Sequence, residues 1–395
     1  MTEVSQTRST APFEIMIIGG GLGGLCLANG LTSAGIGVTV CERDAGAGFR
    51  DQGYRISLKP TGAQALHDCL PPHLFDLCVA TSIGRGIRMM VFADTELRPK
   101  FSKPVPQQEP GLSGFGVNRL TLREILLAGL DDRVQFGRTF DKFEQLEGGR
   151  VRAWFADGTS ADADLLVGAD GTHSAVRGQL IPDAVIDELH YAIYGKTPIT
   201  PNVLDQAPDV LIDTFNRVIG EGDAAFSVAT CRTLEPATSA AARIAPGVHL
   251  TDTPPYLQWV TPMLDLRYRT ADPATLHRVA TEMVTGWHPG IRTILDNADI
   301  TATFPVAITS ARPVEPWHAA NITLLGDAIH TMSPGRGDGA NIALRDAQVL
   351  TRALIQAAQG HQTLTEAKRA YETDMLQYGF AAVSQSLHQP FGKKT

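Results

Sequence analysis

The 395-residue chain is poor in cysteine: five in all, Cys26, Cys41, Cys69, Cys78 and Cys231, with no C-x-x-C spacing. An odd, low count excludes a disulfide scaffold and predicts buried, reduced thiols in a cytoplasmic protein. Charge is sparse at 19%, and the acids outnumber the bases, 42 to 34, for a net charge of −8. No run of Lys or Arg gathers into a patch, which argues against a nucleic-acid partner. The eleven histidines show no zinc-type spacing. Neither G-x-S-x-G nor H-E-x-x-H occurs, so neither a catalytic triad nor a metal is expected. A long hydrophobic run is missing as well. The most apolar stretch, Ile15 to Leu31, carries five glycines between positions 19 and 24 and reads as strand, turn and helix, so no membrane span is expected. The first twelve residues, MTEVSQTRSTAP, are polar and lack the apolar core of a signal peptide.

Glycine, by contrast, is abundant at 38 residues, and much of it stands in three strand-to-helix turns. The first turn follows the strand EIMII and has Gly19, Gly21 and Gly24 in a G-x-G-x-x-G pattern, with Leu22 opening an apolar helix face. A second strand, Val38 to Val40, runs into Glu42. Glycines there allow a tight turn and close approach to a pyrophosphate. The helix start offers free N–H groups, and an acid at the next strand end accepts bonds from ribose hydroxyls. Together these point to FAD or NAD. The second turn is GADGTHSAVR, Gly168 to Arg177, after the strand Leu165–Val167. Asp170-Gly171 makes the turn and Ser174 is placed as a helix N-cap. The third, GDAIHTMSPGRGDGANIALRDA, spans 326–347 after the apolar run Ile322–Leu325. It reads as strand, acidic turn, glycine-rich loop and helix. Asp327 is placed to bind a sugar-like hydroxyl, and Pro334, Gly337, Gly339, Ala340 and Asn341 lie in a loop that lets backbone approach a flat ligand.

Between these turns, helices are expected at Lys59–Leu70, entered by Pro60, and at Leu120–Leu130. Strands are expected at 151–155 and 160–167 around Asp157-Gly158. From about 186 to 310 strand-like runs dominate, interrupted by one helix, Thr275–Trp287. A long amphipathic helix closes the chain. The fold class is therefore α/β: a Rossmann-like nucleotide-binding domain with an inserted, mostly antiparallel β-sheet substrate domain and a long C-terminal helix. The expected division is 12–80, 105–180 and 306–360 for the first domain, 81–104 and 181–305 for the second, and 361–395 for the helix.

The three turns, in this order, resemble those of the single-component (class A) FAD-dependent monooxygenases, the family of para-hydroxybenzoate hydroxylase and the tetracycline-inactivating monooxygenases. The resemblance covers 14–180 and 311–360 well, and the middle sheet only in length and texture. It implies FAD as cofactor, with Glu42 on the adenosine ribose, Arg43 stacked on adenine, and Arg119 reaching the pyrophosphate. Asp170 lies in the motif linked there to nicotinamide use, and Asp327 on the ribitol. The backbone from Gly337 to Asn341 lies at the flavin pyrimidine edge. It further implies NADPH or NADH as co-substrate, dioxygen trapped as a flavin C4a-hydroperoxide, and transfer of one oxygen to a bulky aromatic or polyketide-like molecule. One departure stands out: the family's usual Gln between the loop glycines is Asp338, an acid that opposes negative charge on a reduced flavin. No second G-x-G-x-x-G exists for a separate nicotinamide domain, and no W-x-W-x-I-P motif of the flavin halogenases is present. Substrate contacts are expected from Arg55 and Ser57, which follow Gly53, and from His190, Tyr191, Tyr194, Thr230, Gln258 and Trp259. A reductase or oxidase of the same superfamily, or a non-catalytic FAD- or ligand-binding protein, are the alternatives. A monomer or weak dimer is expected.

Overall fold

Glu14 to Ile18 is a five-residue strand whose last four side chains are buried, as a strand covered on both faces requires. In the computed structural model, which describes residues 13–47, 54–84, 88–106 and 109–388, it is β1, the central strand of a five-stranded parallel sheet. Helix α1 (Leu22–Ser33) and strand β2 (Gly37–Cys41) complete the first βαβ unit. Then come β3 (Arg55–Leu58), α2 (Pro60–Cys69), α3 (Pro72–Ala80), β4 (Met89–Ala93), β5 (Pro99–Pro104) and β6 (Phe115–Asn118). Helix α4 (Arg119–Ala128) leads to β7 (Val134–Gln135), β8 (Phe140–Gln145), β9 (Val151–Phe155), β10 (Ser160–Ala163) and β11 (Leu165–Gly168). After α5 (Ala175–Leu180) follow β12 (Ile186–Pro198), α6 (Pro201–Gln206), β13 (Thr214–Ile219), β14 (Ala225–Cys231), α7 (Ala237–Ile244) and β15 (Tyr256–Met263). The chain ends with α8 (Pro273–Met283), α9 (Pro289–Asp296), β16 (Phe304–Ala311), β17 (Ile322–Leu324), α10 (Asp327–His330), α11 (Gly339–Ala358) and α12 (Leu364–Leu387).

A parallel sheet in the order β17-β11-β1-β2-β7 carries the first unit, and β11 and β17 extend it on one side of β1. The strand ends preceding all three glycine turns therefore lie side by side, where open α/β sheets bind ligands. A second sheet in the order β16-β12-β15-β14-β13-β4-β5 is antiparallel except for the β13–β4 pair. One of its faces packs on α8 and α9 through Trp259, Phe226, Leu276 and Ile294. Gly195 sits opposite Trp259, and a Cβ there would come within 2.1 Å of the indole. Only the bare backbone leaves room for that ring. The other face turns toward the parallel sheet.

The element pattern follows the sequence closely, with four corrections. The run 160–167 is two strands in different sheets; Asp164 takes the Glu14 N–H on its carboxylate at 2.8 Å, where the chain changes sheet. The segment 186–310 holds four helices rather than one. Helices α6 and α9 have only 6 and 8 residues and start on prolines, too short to show a period. The expected division at 305/306 cuts β16, which stays in the large sheet to Ala311. Finally, α7 leaves the middle segment and packs with the nucleotide-domain core through Ala237, Ala240 and Ala241. Gly53, residue 12 and residues 389–395 lie outside the described residues. All five cysteines are buried and unpaired. No helix among the described residues is long and apolar enough to cross a membrane.

Candidate functional site

The three glycine turns and the free face of the large sheet enclose one continuous cavity of about 2610 Å³. That exceeds the usual 300–1,000 Å³ of a small-molecule site, and leaves room for a dinucleotide plus a second molecule. Gly19, Gly21, Leu22, Gly24, Glu42, Arg43, Arg119, Asp170, Asp327, Pro334, Gly337, Gly339 and Ala340 all line it. So do Arg55, Ser57, His190, Tyr191, Tyr194 and Gln258. Thr230 and Trp259 do not; both are 0% exposed, since strand alternation turns them away from the cavity.

The first turn is shaped by close contacts that tolerate no side chain. A Cβ on Gly24 would fall 2.3 Å from the Gly19 oxygen, and Gly19 itself has φ +112°. Gly21 faces open space, and no side chain caps α1. Its first N–H groups are therefore left for an anion. Glu42 Oε2 accepts the Gly20 N–H at 2.6 Å and Oε1 the Asp44 N–H at 2.8 Å, so the carboxylate also holds the loop. Arg123 was not singled out from sequence. It is buried, donates from Nε to the Gly20 oxygen at 3.3 Å and lies 3.7 Å from Asp44. Its signal is its place four residues after Arg119, one turn further along α4.

In the second turn Asp170 accepts from Ser174 Oγ at 2.6 Å and from the Ala175 N–H at 2.8 Å. Ser174 caps α5 as the sequence indicates. Arg177 does not reach the cavity surface. Its guanidinium donates to the Ala328 and Thr172 carbonyls, both at 2.8 Å, and ties the second turn to the third.

The third turn begins at Gly326, φ +64°, a conformation that favours glycine. Asp327 faces the cavity floor. Burial pushes its carboxyl up from the ordinary range, while His330 and Arg119 oppose that shift. Below it, fully buried Asp346 accepts from the Gly326 N–H at 2.8 Å and from Tyr378 Oη at 2.7 Å, and pairs with His330 Nε2 at 2.7 Å. Burial alone would push His330 down, but Asp346 and Asp327 outweigh it and the imidazole is held above its ordinary value. Asn341 is buried and does not face the cavity. Its amide donates to the Ser57 and Gly337 carbonyls at 2.9 and 2.8 Å and accepts the Lys59 N–H at 2.8 Å. Only backbone is left there for a ligand. Asp338 is not a bare acid: Lys59 Nζ ion-pairs with it, and Arg336 Nε lies at 3.3 Å.

On the sheet side an aromatic wall forms from Tyr54, Tyr194 and Phe304. The Tyr54 and Phe304 centroids are 4.8 Å apart, and Tyr194 stacks on Phe304 at 6.0 Å. Burial pushes the Tyr194 phenol up. Burial, and then the nearby Arg217 charge, hold His190 below its ordinary value. An FAD fits these features: an uncapped helix start, an acid at each of two strand ends, and a glycine loop where Gly337 meets nothing within 4 Å. Among the described residues no group of His, Cys, Asp and Glu is arranged to hold a metal.

Comparison with known proteins agrees with this geometry. Residues 128–386 match the FAD binding domain family, and 17–81 match the NAD(P)-binding Rossmann-like domain family. The chain is 30% identical to the dual O-methyltransferase/FAD-dependent monooxygenase elcB of Phaeosphaeria nodorum, over 91% of this chain and 42% of that protein. The chain thus spans less than half the length of the first curated relatives it matches. It is also 30% identical to an FAD-dependent urate hydroxylase of Klebsiella oxytoca, over 85% of this chain and 80% of that one. Among solved structures, a Photorhabdus luminescens protein provisionally assigned as an FAD-containing monooxygenase superposes with TM-score 0.82. It is 31% identical, with 95% of this chain and 96% of that one covered. The chain belongs to the FAD-binding-domain family of the FAD-dependent monooxygenases, and FAD is its cofactor.

Proposed function

We propose that this protein is an NAD(P)H-dependent monooxygenase that inserts one atom of dioxygen into a bulky aromatic or polyketide-like small molecule. The observation that carries the reading is the continuity of the cavity. A dinucleotide cradle opens without a barrier onto a chamber walled by Tyr54, Tyr194 and Phe304. Bound FAD, reduced by a nicotinamide and reacting with dioxygen, supplies the redox chemistry. The chain's own residues do the rest. Glu42 would accept from the adenosine ribose and Asp327 from the ribitol, Arg119 would meet the pyrophosphate and Arg43 would cover the adenine. The 337–341 backbone would offer its N–H dipoles to the flavin and favour negative charge there. The aromatic wall holds a flat ring and excludes water, and His190, kept neutral, is able to accept a proton from a substrate hydroxyl. No second dinucleotide-binding sheet exists among the described residues, so the nicotinamide docks transiently from solvent.

The test is turnover with labelled dioxygen across an aromatic panel, read by mass spectrometry. One labelled atom in the product is expected. Unlabelled product, with all reducing equivalents recovered as hydrogen peroxide, rejects the reading in favour of an oxidase or a non-catalytic flavoprotein.

A second expectation concerns the departure at Asp338. A bare acid at the pyrimidine edge would oppose flavin reduction, but this one is neutralised by Lys59 and Arg336. Lys59→Met should therefore lower the flavin midpoint potential, on the order of tens of millivolts. Asp338→Gln should shift it less, because the lost negative charge releases a positive one. Spectroelectrochemical titration of the two variants decides; equal and opposite shifts would mean that the pair acts as separate charges.

A further inference from the structure

We propose that the substrate carries a long apolar arm besides its reacting ring, and that a hydrocarbon strip across the large sheet holds that arm. The proposal rests on the chamber being the substrate site.

Cross-strand register carries the case. Val306 pairs with Ala192, and Ala192 with Pro262. Ser227 pairs with Val260, which sets Ala225, two residues earlier, level with Pro262, two residues later. Ala225 pairs in turn with Ile219. These five residues thus form one row across β16, β12, β15, β14 and β13. Side chains in such a row share a face, and all five line the cavity. Four strand spacings of about 4.8 Å give the row a length of roughly 19 Å.

The row starts beside the aromatic wall, because Val306 and Ala192 stand two residues from Phe304 and Tyr194, which pair in the same way. A ring held at that wall lies at one end of the strip. From β12 the strip continues for three more spacings, roughly 14 Å. Its middle, Ala192, Pro262 and Ala225, is low. The next row is taller at Tyr194, Val260 and Arg217 and makes one bank. On the other side Leu189 and Leu264 line the cavity near the strand ends.

No side chain of the strip carries a donor or acceptor, and the backbone beneath it is engaged in the sheet ladder. Water lying on it finds few partners, and a hydrocarbon that displaces this water is favoured. Leu264, Leu189 and Ile219 are 58%, 42% and 37% exposed although they line a cavity. Large apolar side chains left uncovered together in a groove mark a surface for an apolar ligand. The polar residues of this sheet face, Gln258, Ser227 and Arg217, stand in neighbouring rows and do not interrupt the strip.

The test is equilibrium titration of the FAD-loaded protein with 4-alkylresorcinols bearing ethyl, butyl, octyl and dodecyl chains, kept below their micelle concentrations. Flavin difference absorbance and fluorescence read the binding. Affinity should rise about two- to fourfold per methylene from ethyl to octyl, as expected for CH2 groups covered in part or in full, and level off once the chain outruns the strip. Ala225→Phe blocks the strip halfway. It should cost the dodecyl compound about 10- to 100-fold and leave the ethyl compound within about threefold. Ile219→Asp, at the far end, should weaken the dodecyl compound about three- to tenfold and spare the ethyl one, and it gives the same reading should Ala225→Phe lose its flavin. Affinity independent of chain length, a rise that survives unaltered in both variants, an equal loss for ethyl and dodecyl compounds, or no flavin response to any member up to about 1 mM overturns the proposal. The titration involves no turnover, so its failure leaves the labelled-oxygen result untouched, and the reverse also holds.

Discussion

Asp346→Ala is expected to lower the unfolding free energy of the apoprotein by about 3–5 kcal/mol, the range for removing one partner of a buried charged pair. The carboxylate is 0% exposed and takes the Gly326 N–H, the His330 imidazole and the Tyr378 hydroxyl. Removing it strands three donors in a dry site. Asp346→Asn keeps one acceptor but turns an NH2 toward a donor, and should cost about half as much. Tyr378→Phe removes one bond to a charged group, about 1.5–3 kcal/mol. Denaturant unfolding of the three variants gives the order directly. Because the cluster supports Gly326 and Asp327, FAD affinity should fall in the same order. A loss under about 1 kcal/mol for Asp346→Ala would mean that the cluster is not the anchor of the third turn.

The second large effect is on FAD itself. Asp327→Arg should yield protein that purifies almost colourless, with FAD affinity reduced by about 100-fold or more. It would remove the proposed ribitol acceptor and set a second guanidinium against Arg119, whose charge already reaches Asp327. Asp327→Asn, which keeps an acceptor, should lose about tenfold. Glu42→Arg should be as severe for a different reason: Glu42 also orders the Gly20 and Asp44 backbone, so its loss disturbs the first turn before any ligand arrives. FAD titration into apoprotein, followed by fluorescence quenching, separates the two. Full flavin occupancy in Asp327→Arg would sink the ribitol role.

The nucleotide-binding half was legible because its demands are local. A tight turn needs glycine, a buried parallel strand needs an unbroken apolar run, and both leave marks within a few residues, as at Gly19–Gly24 and Ile322–Leu325. What was not legible depends on distance in sequence. Asn341 bonds Ser57 and Lys59 across more than 280 residues, so nothing near it shows that its side chain is already occupied. The neutralisation of Asp338 by Lys59 is hidden for the same reason. Trp259 and Thr230 were expected in the chamber because aromatic and polar residues suit one. Strand alternation decides the matter, and it can be read only once the register of β15 and β14 is known. Arg217 carries no local signal either: a single Arg in a strand can face solvent or a cavity, and only the sheet register shows that this one lines the cavity.

The free face of the large sheet has a consequence for how this protein is able to change. Alternate residues of β13, β14 and β15 belong to two separate economies. One set, Trp259, Val228 and Phe226, is locked against helices, where a methylene more or less is felt throughout the core. The other, Phe215, Arg217, Ser227 and Val260, lines the cavity. Substitutions in the second set alter which molecule is held while barely loading the fold. A combinatorial library confined to those four positions should stay folded and flavin-bound at high frequency and still diverge in ligand preference. New specificity on this scaffold is therefore reachable by single steps, each tolerated on its own.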